Sequence, residues 1–137
     1  MGMNYYFNVK DQESIHIGKS STGWAFQLHA YPKKRIYDLK DWLRYIDEQG
    51  QISECHICDE NDEVVLKDDL IKIIAHRQPF GQYSKLLHKE YRTRGAWFYD
   101  CDTGLLRARL NEDICISHGH PGMMGTGSWD CIIGDFS

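Results

Sequence analysis

The side chains best suited to chemistry lie in two segments, about a hundred residues apart in the chain. The first segment reads His16-Ile17-Gly18-Lys19-Ser20-Ser21 and is followed by Trp24 and His29. Glycine lets a backbone turn its amides toward a ligand, lysine adds positive charge, serine hydroxyls donate hydrogen bonds and tryptophan offers a ring for stacking. This mixture suits a phosphorylated or nucleotide-like ligand. The alternative is a Gly/Ser turn that carries a solvated lysine.

The second segment is His118-Gly119-His120, which opens a glycine-rich run. Histidines two residues apart can transfer protons or bind a metal, and loops on a rigid scaffold often hold such groups. We predict that His118 and His120 line one recess together with the first segment. The alternative is a pair of surface histidines without a role, which is the commoner case for so short a motif.

Two better-known motifs fail on their spacing. Gly18-Lys19-Ser20 resembles the end of a phosphate-binding Walker A element, but the earlier glycine is missing, because positions 13 and 14 are Glu13 and Ser14. A strand is predicted after Ser21, where that motif needs a helix. Cys55-His56-Ile57-Cys58 has the gap of a zinc knuckle, but no second such pair exists in the chain. We therefore predict buried thiols, no bound metal and no cofactor.

A basic cluster contrasts with the acidic total of the chain. Residues 85–94 contain four basic side chains, with His88 and aromatic residues nearby, which could contact RNA or single-stranded DNA by charge and stacking. The whole chain has a net charge of −4, and Glu90 interrupts the cluster. A nucleic-acid partner is therefore disfavoured, and a solvated helix face is the preferred interpretation.

The first segment must be positioned by a β-hairpin. Residues 14–17 and 24–29 alternate polar and apolar side chains, which predicts two strands joined by a loop at 20–23. In that register Lys19 lies opposite Trp24, and His16 and His29 become diagonal neighbours on the face away from the core, roughly 7 Å apart at the backbone. A slip of one residue would separate the two histidines.

The remaining patterns predict more strands than helices. Asp38 begins a helix over 39–49 that Gly50 ends, and Asp68 begins another that ends before Pro79. A short helix is one interpretation of residues 84–91. The predicted strands are Tyr5–Val9, a second hairpin or extended pair over 52–58 and 63–66, a third hairpin over 96–110, and a last strand within 128–133. The predicted fold is α+β, with a mostly antiparallel sheet built from hairpins and two or three short helices packed on one face.

Composition sets the class of protein. The chain has 137 residues, of which 42% are hydrophobic, and shows no linker or repeat, so we expect a single compact domain over residues 1–137. Its five cysteines are an odd number, which favours reduced thiols. The sequence shows neither a secretory signal nor an apolar run long enough to span a membrane. We expect a cytoplasmic protein without membrane contact.

Several segments together resemble a family of small bacteriophage and prophage proteins that has no known activity. They are Met1-Gly2-Met3-Asn4-Tyr5-Tyr6, the segment His16 to Ser21, Gly23-Trp24-Ala25-Phe26-Gln27-Leu28-His29, and the ending Gly127-Ser128-Trp129-Asp130 with Gly134-Asp135-Phe136-Ser137. Many family members place a Cys-x-x-Cys pair shortly before the His-Ile-Gly-Lys segment, and this chain lacks it. The resemblance implies an accessory protein in the cytoplasm of an infected bacterium, where such proteins modify host metabolism or counter host defences.

Three functions are compatible with these observations. The first is capture of a small anionic or nucleotide-like ligand, because Lys19, the two serines and Trp24 explain ligand holding directly. The second is a phosphodiesterase-like hydrolase, with His16, His29 or His120 as acid and base and Lys19 steadying the developing charge. The third is a protein-interaction inhibitor that presents an acidic surface to a host enzyme. The ligand's identity and the oligomeric state stay open.

Overall fold

A computed structural model describes residues 2–21, 23–76, 97–100, 105–108, 115–119 and 129–134. The strands are Gly2–Val9 (β1), Ile15–Ser21 (β2), Phe26–His29 (β3), Cys55–Asp59 (β4), Val64–Val65 (β5), Trp97–Asp100 (β6), Leu105–Ala108 (β7), Cys115–His118 (β8) and Trp129–Ile132 (β9). The α-helices are Leu39–Ile52 (α1) and Lys67–Ala75 (α2), and Pro32–Lys34 forms a 3-10 turn.

Seven strands form one sheet in the order β5-β4-β1-β2-β3-β9-β8, and β6 pairs with β7 separately. Every named strand pair in the described ranges is antiparallel except β3 with β9, which is parallel. The predicted α+β class with a mostly antiparallel sheet is confirmed. The second hairpin (β4–β5), the third (β6–β7) and the last strand (β9) are also found, although β4 begins at Cys55 and the predicted first residue of that strand, Ile52, belongs to α1. The helix considered over 84–91 lies outside the described residues.

The first helix forms because its apolar residues repeat at helical spacing behind a capping aspartate. The Asp38 carboxylate accepts a hydrogen bond from the Leu39 N–H at 2.7 Å, and Leu39, Trp42 and Ile46 are buried along one side of α1. The helix continues to Ile52, beyond the predicted end at Gly50. A single glycine near a helix end costs only about 1 kcal/mol, which the buried side of the helix offsets.

The second helix begins earlier than its sequence indicates. The sequence assigned the cap to Asp68, whereas α2 begins at Lys67 with Leu66 at the cap position and no capping side chain. Asp68 and Asp69 instead lie in the first turn, where negative charge favours the positive end of the helix dipole. The element is correctly predicted, and the role of Asp68 within it is wrong.

The register of the first hairpin differs from the predicted one. Lys19 lies opposite Gln27 and not Trp24, because β2 continues as a strand through Ser21 and the chain turns only afterwards. The predicted loop at 20–23 is therefore wrong at its first two residues. The physical reason is a second neighbour: β1 pairs with β2 along its length, up to Gly2 opposite Ser21. An isolated hairpin pattern does not contain that neighbour.

A β-bulge returns His16 to the face predicted for it. The observed register differs from the predicted one by three residues. Because three is an odd number, this shift alone would place His16 on the face of the sheet opposite to His29. In the β1–β2 pair, however, Tyr5 lies opposite Gly18 and Tyr6 opposite His16, so that Ile17 is an extra residue. The extra residue reverses the alternation, and Ile17 is fully buried while His16 stays on the side of the half-buried Tyr6.

The core joins both helices to the sheet. One cluster of buried side chains contains Leu39 and Trp42 of α1, Leu70 and Ile74 of α2 and, from the strands, side chains such as Phe7. The positions of β1, β2 and β3 that alternate with the buried ones form a second face of the sheet with mostly polar side chains. We call this the polar face; by strand register it carries Asn4, Tyr6, His16, Lys19, Gln27 and His29.

Candidate functional site

His16 and His29 are in direct contact. Their Nδ1 atoms are 3.2 Å apart, and the two rings meet edge to face with centroids 5.4 Å apart. His16 is half-buried, whereas His29 is only 5% exposed. Neighbouring strands β2 and β3 bring together two histidines that are 13 positions apart in the chain. The predicted proximity of the pair is therefore observed, although in a different register.

Hydrogen bonds around the pair determine where its protons are. His16 Nε2 lies 2.8 Å from Asn4 Oδ1, which can only accept, so His16 carries its proton on Nε2. His16 Nδ1 is then the acceptor in the neutral ring, and the proton between the two rings is on His29 Nδ1. The basic nitrogen of His29 is therefore Nε2. The proton on His29 Nδ1 has two acceptors within reach, His16 Nδ1 at 3.2 Å and the Tyr31 hydroxyl oxygen at 3.0 Å.

Tyr31 completes the cluster from the end of β3. Its hydroxyl donates to the His16 carbonyl oxygen at 2.8 Å and lies 3.0 Å from His29 Nδ1, and its ring stacks on His29 at a centroid distance of 4.2 Å. On its other side Tyr31 meets Trp42 edge to face, and the Trp42 indole N–H donates to the His29 carbonyl at 2.7 Å. The histidine pair is thus held by the core helix α1 as well as by the sheet.

A recess opens beside His29. It has a volume of about 580 Å³ and lies between the end of β3, the 3-10 turn and the end of β9. Its lining consists of His29, Ala30, Tyr31, Pro32, Lys33, Lys34, Ile133 and Gly134. Lys33 and Lys34 are exposed, and the Lys34 ammonium lies 5.9 Å from the centre of the Tyr45 ring. The residues around the recess therefore include a histidine, a tyrosine, several apolar residues and two lysines.

The lysine and serines of the predicted site lie in a strand and not in a turn. Lys19 is in register with Asn4 and Gln27 on the polar face, and Ser20 and Ser21 continue β2 beside β1. Their backbone therefore follows a sheet ladder, which differs from the amide cradle that the sequence suggested. Trp24 is half-buried and bridges to Leu106 of β7.

The second predicted segment is described only in part. The backbone of His118 lies at the end of β8, opposite Asp130, and Asp130 lies opposite Gln27 of β3. Lys19 and His118 thus occupy one register row, three strand spacings or roughly 14 Å apart. His120 lies outside the described residues. The prediction that both segments line one recess stays a prediction.

A buried ion pair lies on that row between the two segments. Arg107 Nε is 3.1 Å from Asp130 Oδ1, and both side chains are at most 6% exposed. The Arg107 guanidinium also donates to the carbonyl oxygens of Trp129 at 2.8 Å and Gly119 at 3.3 Å. These bonds attach β7 to β9 and provide hydrogen-bond acceptors for the buried guanidinium.

Burial disfavours ionisation of three of the cysteine thiols. Burial raises the pKa of Cys58, raises that of Cys115 to about 11, and raises that of Cys131 further. Cys55 and Cys58 lie on opposite faces of β4, opposite Val9 and Tyr6 of β1 respectively. Among the described residues, no three His, Cys, Asp or Glu side chains are grouped so that they could hold a metal ion. Cys101 lies outside the described ranges.

Sequence reasoning missed three contributors to the site. Asn4 fixes the His16 tautomer, Tyr31 stacks on His29, and Lys33 adds charge at the recess. Tyr31 and Lys33 follow His29 closely in the chain, and Asn4 lies just before the predicted first strand, in the part of β1 that the sequence did not predict. The sequence did offer one signal for Tyr31, because it lies two residues after His29, the spacing of side chains on one face of a strand. The predicted strand, however, ended at His29.

Comparison with known proteins adds no assignment: no family model, no curated protein and no solved structure matches this chain. In the described part of the chain, no helix combines the length and apolar character that a membrane crossing requires. The case for function therefore depends on the geometry of the site.

Proposed function

We propose that this protein captures a small anionic ligand, of the phosphorylated or nucleotide-like class, in the recess beside His29. The observation that carries the proposal is the composition of that recess, about 580 Å³ lined by His29, Tyr31, Lys33 and Lys34 together with Ala30 and Ile133. Ligand sites in proteins are typically mostly apolar concavities of this size with a few placed polar groups. A base or other planar group fits the apolar and aromatic wall, and an anionic group fits the lysines.

Charge and preorganisation both support capture. Lys33 and Lys34 are consecutive in the 3-10 turn, which fixes their backbone at the mouth of the recess. The hydrogen bonds from Asn4 through His16 to His29 hold the imidazole in one orientation before a ligand arrives. A ligand then loses less free energy in ordering the site, which is how preorganised sites gain affinity.

We also propose where the helices lie, where the protein acts and which further residues contribute to binding. Both helices cover the face of the sheet away from His16, because Trp42 and Leu70 share a core cluster with strand residues such as Phe7. The polar face around His16 is then left for the ligand. The resemblance to phage proteins supports an accessory role in the cytoplasm of an infected host, where capture of a nucleotide-type signal would counter a defence response. Lys19, Ser20, Ser21, Trp24, His118 and His120 stay proposed contributors to ligand binding.

The alternative of a phosphodiesterase-like hydrolase is favoured by one observation, the contact between His16 and His29. A proton-sharing pair can supply an acid and a base near neutral pH, and Nε2 of His29 is the basic atom. Hydrolysis predicts product, whereas capture predicts none. The hydrolase alternative further predicts that His29→Gln lowers turnover by at least about a hundredfold.

The decisive experiment is a thermal-shift panel of inorganic phosphate and linear and cyclic nucleotides, with each mixture also analysed for product by chromatography. A ligand at one hundred times its Kd stabilises the native state by about 2.7 kcal/mol. For a chain of 137 residues this raises Tm by roughly 8–14 °C. Capture predicts such a shift with at least one nucleotide and no product.

Variants locate the binding. Lys33→Ala should reduce the shift, because it removes positive charge at the recess without removing a described hydrogen bond of its side chain. The matched control is Lys72→Ala, which removes another exposed lysine, from α2. Equal responses of the two variants, or no shift with any compound, would contradict capture at this recess.

A further inference from the structure

A second concave surface lies beside β5, the strand at one edge of the sheet. This groove has a volume of about 310 Å³, and the apolar side chains of Phe7, Ile46, Ile57, Val65 and Leu66 contribute to its lining. Leu66 is 67% exposed. An exposed leucine beside an apolar groove adds to the surface that another chain could cover.

The backbone of β5 is arranged to accept a further strand. In the described residues, β5 stands at the end of the strand order and pairs with β4. The Asp59 N–H donates to the Glu63 carbonyl at 2.9 Å, and Cys58 lies opposite Val64. Because hydrogen-bonded and non-hydrogen-bonded pairs alternate in an antiparallel ladder, Val64 directs its N–H and carbonyl away from β4, toward the sheet edge. The Val64 side chain is 67% exposed.

Charge around the groove is strongly one-sided. Residues 47–69 contain nine acidic side chains and one lysine, a net charge of −8, although the whole chain carries only −4. Glu63 precedes β5, and Asp68 and Asp69 follow Leu66 in the first turn of α2; all three are exposed. The single cation, Lys67, is paired with Asp47 at 2.8 Å. The groove and the edge strand therefore lie in a negative field that repels nucleic acid and attracts basic chains.

We propose that the groove and the β5 edge bind an extended, basic segment of a partner protein by strand addition. The partner's backbone would pair with Val64, an apolar side chain would enter the groove beside Leu66, and lysine or arginine side chains would meet Glu63 and Asp69. Strand addition obtains affinity from main-chain hydrogen bonds and specificity from alternate side chains. The edge strand is available to the partner's backbone, the exposed aliphatic surface to its apolar side chain, and the acidic side chains to its lysines or arginines.

The test uses the full chain and a fluorescent heptapeptide that alternates lysine with valine or leucine. The control peptide has glutamate in place of each lysine. We expect the basic peptide to bind with a low affinity that weakens as salt rises, since the interface is small and charged. We expect the acidic peptide to bind at least about tenfold more weakly.

A substitution at the edge distinguishes strand addition from plain charge attraction. Val64→Pro removes the outward N–H, and proline is tolerated where that N–H points away from the sheet. We expect Val64→Pro to fold and to bind the basic peptide at least about tenfold more weakly. The control Val64→Thr keeps the N–H and should bind normally, and circular dichroism checks that both variants are folded.

Charge substitutions provide a second measurement that does not touch the backbone. Glu63→Gln combined with Asp69→Asn should weaken binding several-fold, whereas the same changes at Asp11 and Glu13, in the loop between β1 and β2, should not. The proposal is overturned by equal affinity for both peptides, by unchanged binding in Val64→Pro together with the charge variant, or by no binding. Self-association of the protein that Val64→Pro abolishes, without peptide binding, would assign the edge to a second copy and overturn the basic partner.

Discussion

Replacing Asp38 with alanine should destabilise the protein far more than a surface aspartate would. Its Oδ1 atom accepts hydrogen bonds from the Leu39 N–H at 2.7 Å and from the Trp129 indole N–H at 2.6 Å, and the Cys131 thiol lies at 3.4 Å. The bond to Trp129 spans 91 positions of sequence. One carboxylate oxygen therefore caps α1 and fastens β9 to it.

The magnitude follows from the two shorter bonds. Loss of an N-terminal cap costs about 1 kcal/mol, and loss of a hydrogen bond to a charged acceptor costs about 1.5–3 kcal/mol when the donor is buried. Trp129 is 3% exposed, so its N–H loses its Asp38 acceptor in a place with little access to water. We expect Asp38→Ala to lower the free energy of unfolding by roughly 2.5–4 kcal/mol and Tm by roughly 8–16 °C.

Urea unfolding followed by tryptophan fluorescence measures this loss. Asp38→Asn keeps an acceptor oxygen and should lose less than half as much. Asp47→Ala removes an aspartate whose ion pair with Lys67 is exposed on both sides and should lose no more than about 1 kcal/mol. A loss below about 1 kcal/mol for Asp38→Ala, or equal losses for Asp38→Ala and Asp38→Asn, would refute the reasoning.

Three further outcomes are expected. Arg107→Ala removes the guanidinium that pairs with the buried Asp130 carboxylate and should cost about 3–5 kcal/mol in urea unfolding. Arg107→Lys should not restore the full stability, because lysine cannot reproduce the guanidinium bonds. Gly18→Ala should destabilise by about 2 kcal/mol or more, because its new methyl group would collide with the Gln27 carbonyl oxygen. The Cys115 thiol stays protonated in the native state up to about pH 11, against 9.0 for an ordinary thiol, mainly because of burial and secondarily because of Asp130. The unfolded thiol ionises first as the pH rises, so this stabilisation is complete below pH 9 and is lost between pH 9 and 11. Cys115→Ala should therefore lose less stability than the wild type over that range in parallel unfolding titrations; equal losses would contradict the prediction.

The sequence predicted the elements better than their registers. Alternation of polar and apolar residues located β2, β3 and β4–β5, because side chains on strands point alternately to two faces. The contact of His16 with His29 was nevertheless predicted from a wrong register. The bulge at Ile17 compensated the error, and a bulge depends on the fit of β2 to its second neighbour β1, which no local pattern contains.

The chemistry of the site was harder to predict than its location. Asn4 acts through a hydrogen bond to His16, and Tyr31 acts through stacking on His29, so both roles exist only after β1, β2 and β3 are side by side. Charge, in contrast, was fully visible in the sequence. The acidic run over residues 47–69 became informative only when β5 was found at the edge of the sheet.

Nitrogen-15 NMR of the histidine side chains tests the central claim most directly. Without ligand, His16 should carry its proton on Nε2 and His29 on Nδ1, as the bonds to Asn4 and between the rings require. Addition of a nucleotide from the panel should shift the His29 nitrogens and leave those of the exposed His56 in place. An unmoved His29 with every compound, or equal shifts at His56, would contradict capture beside His29.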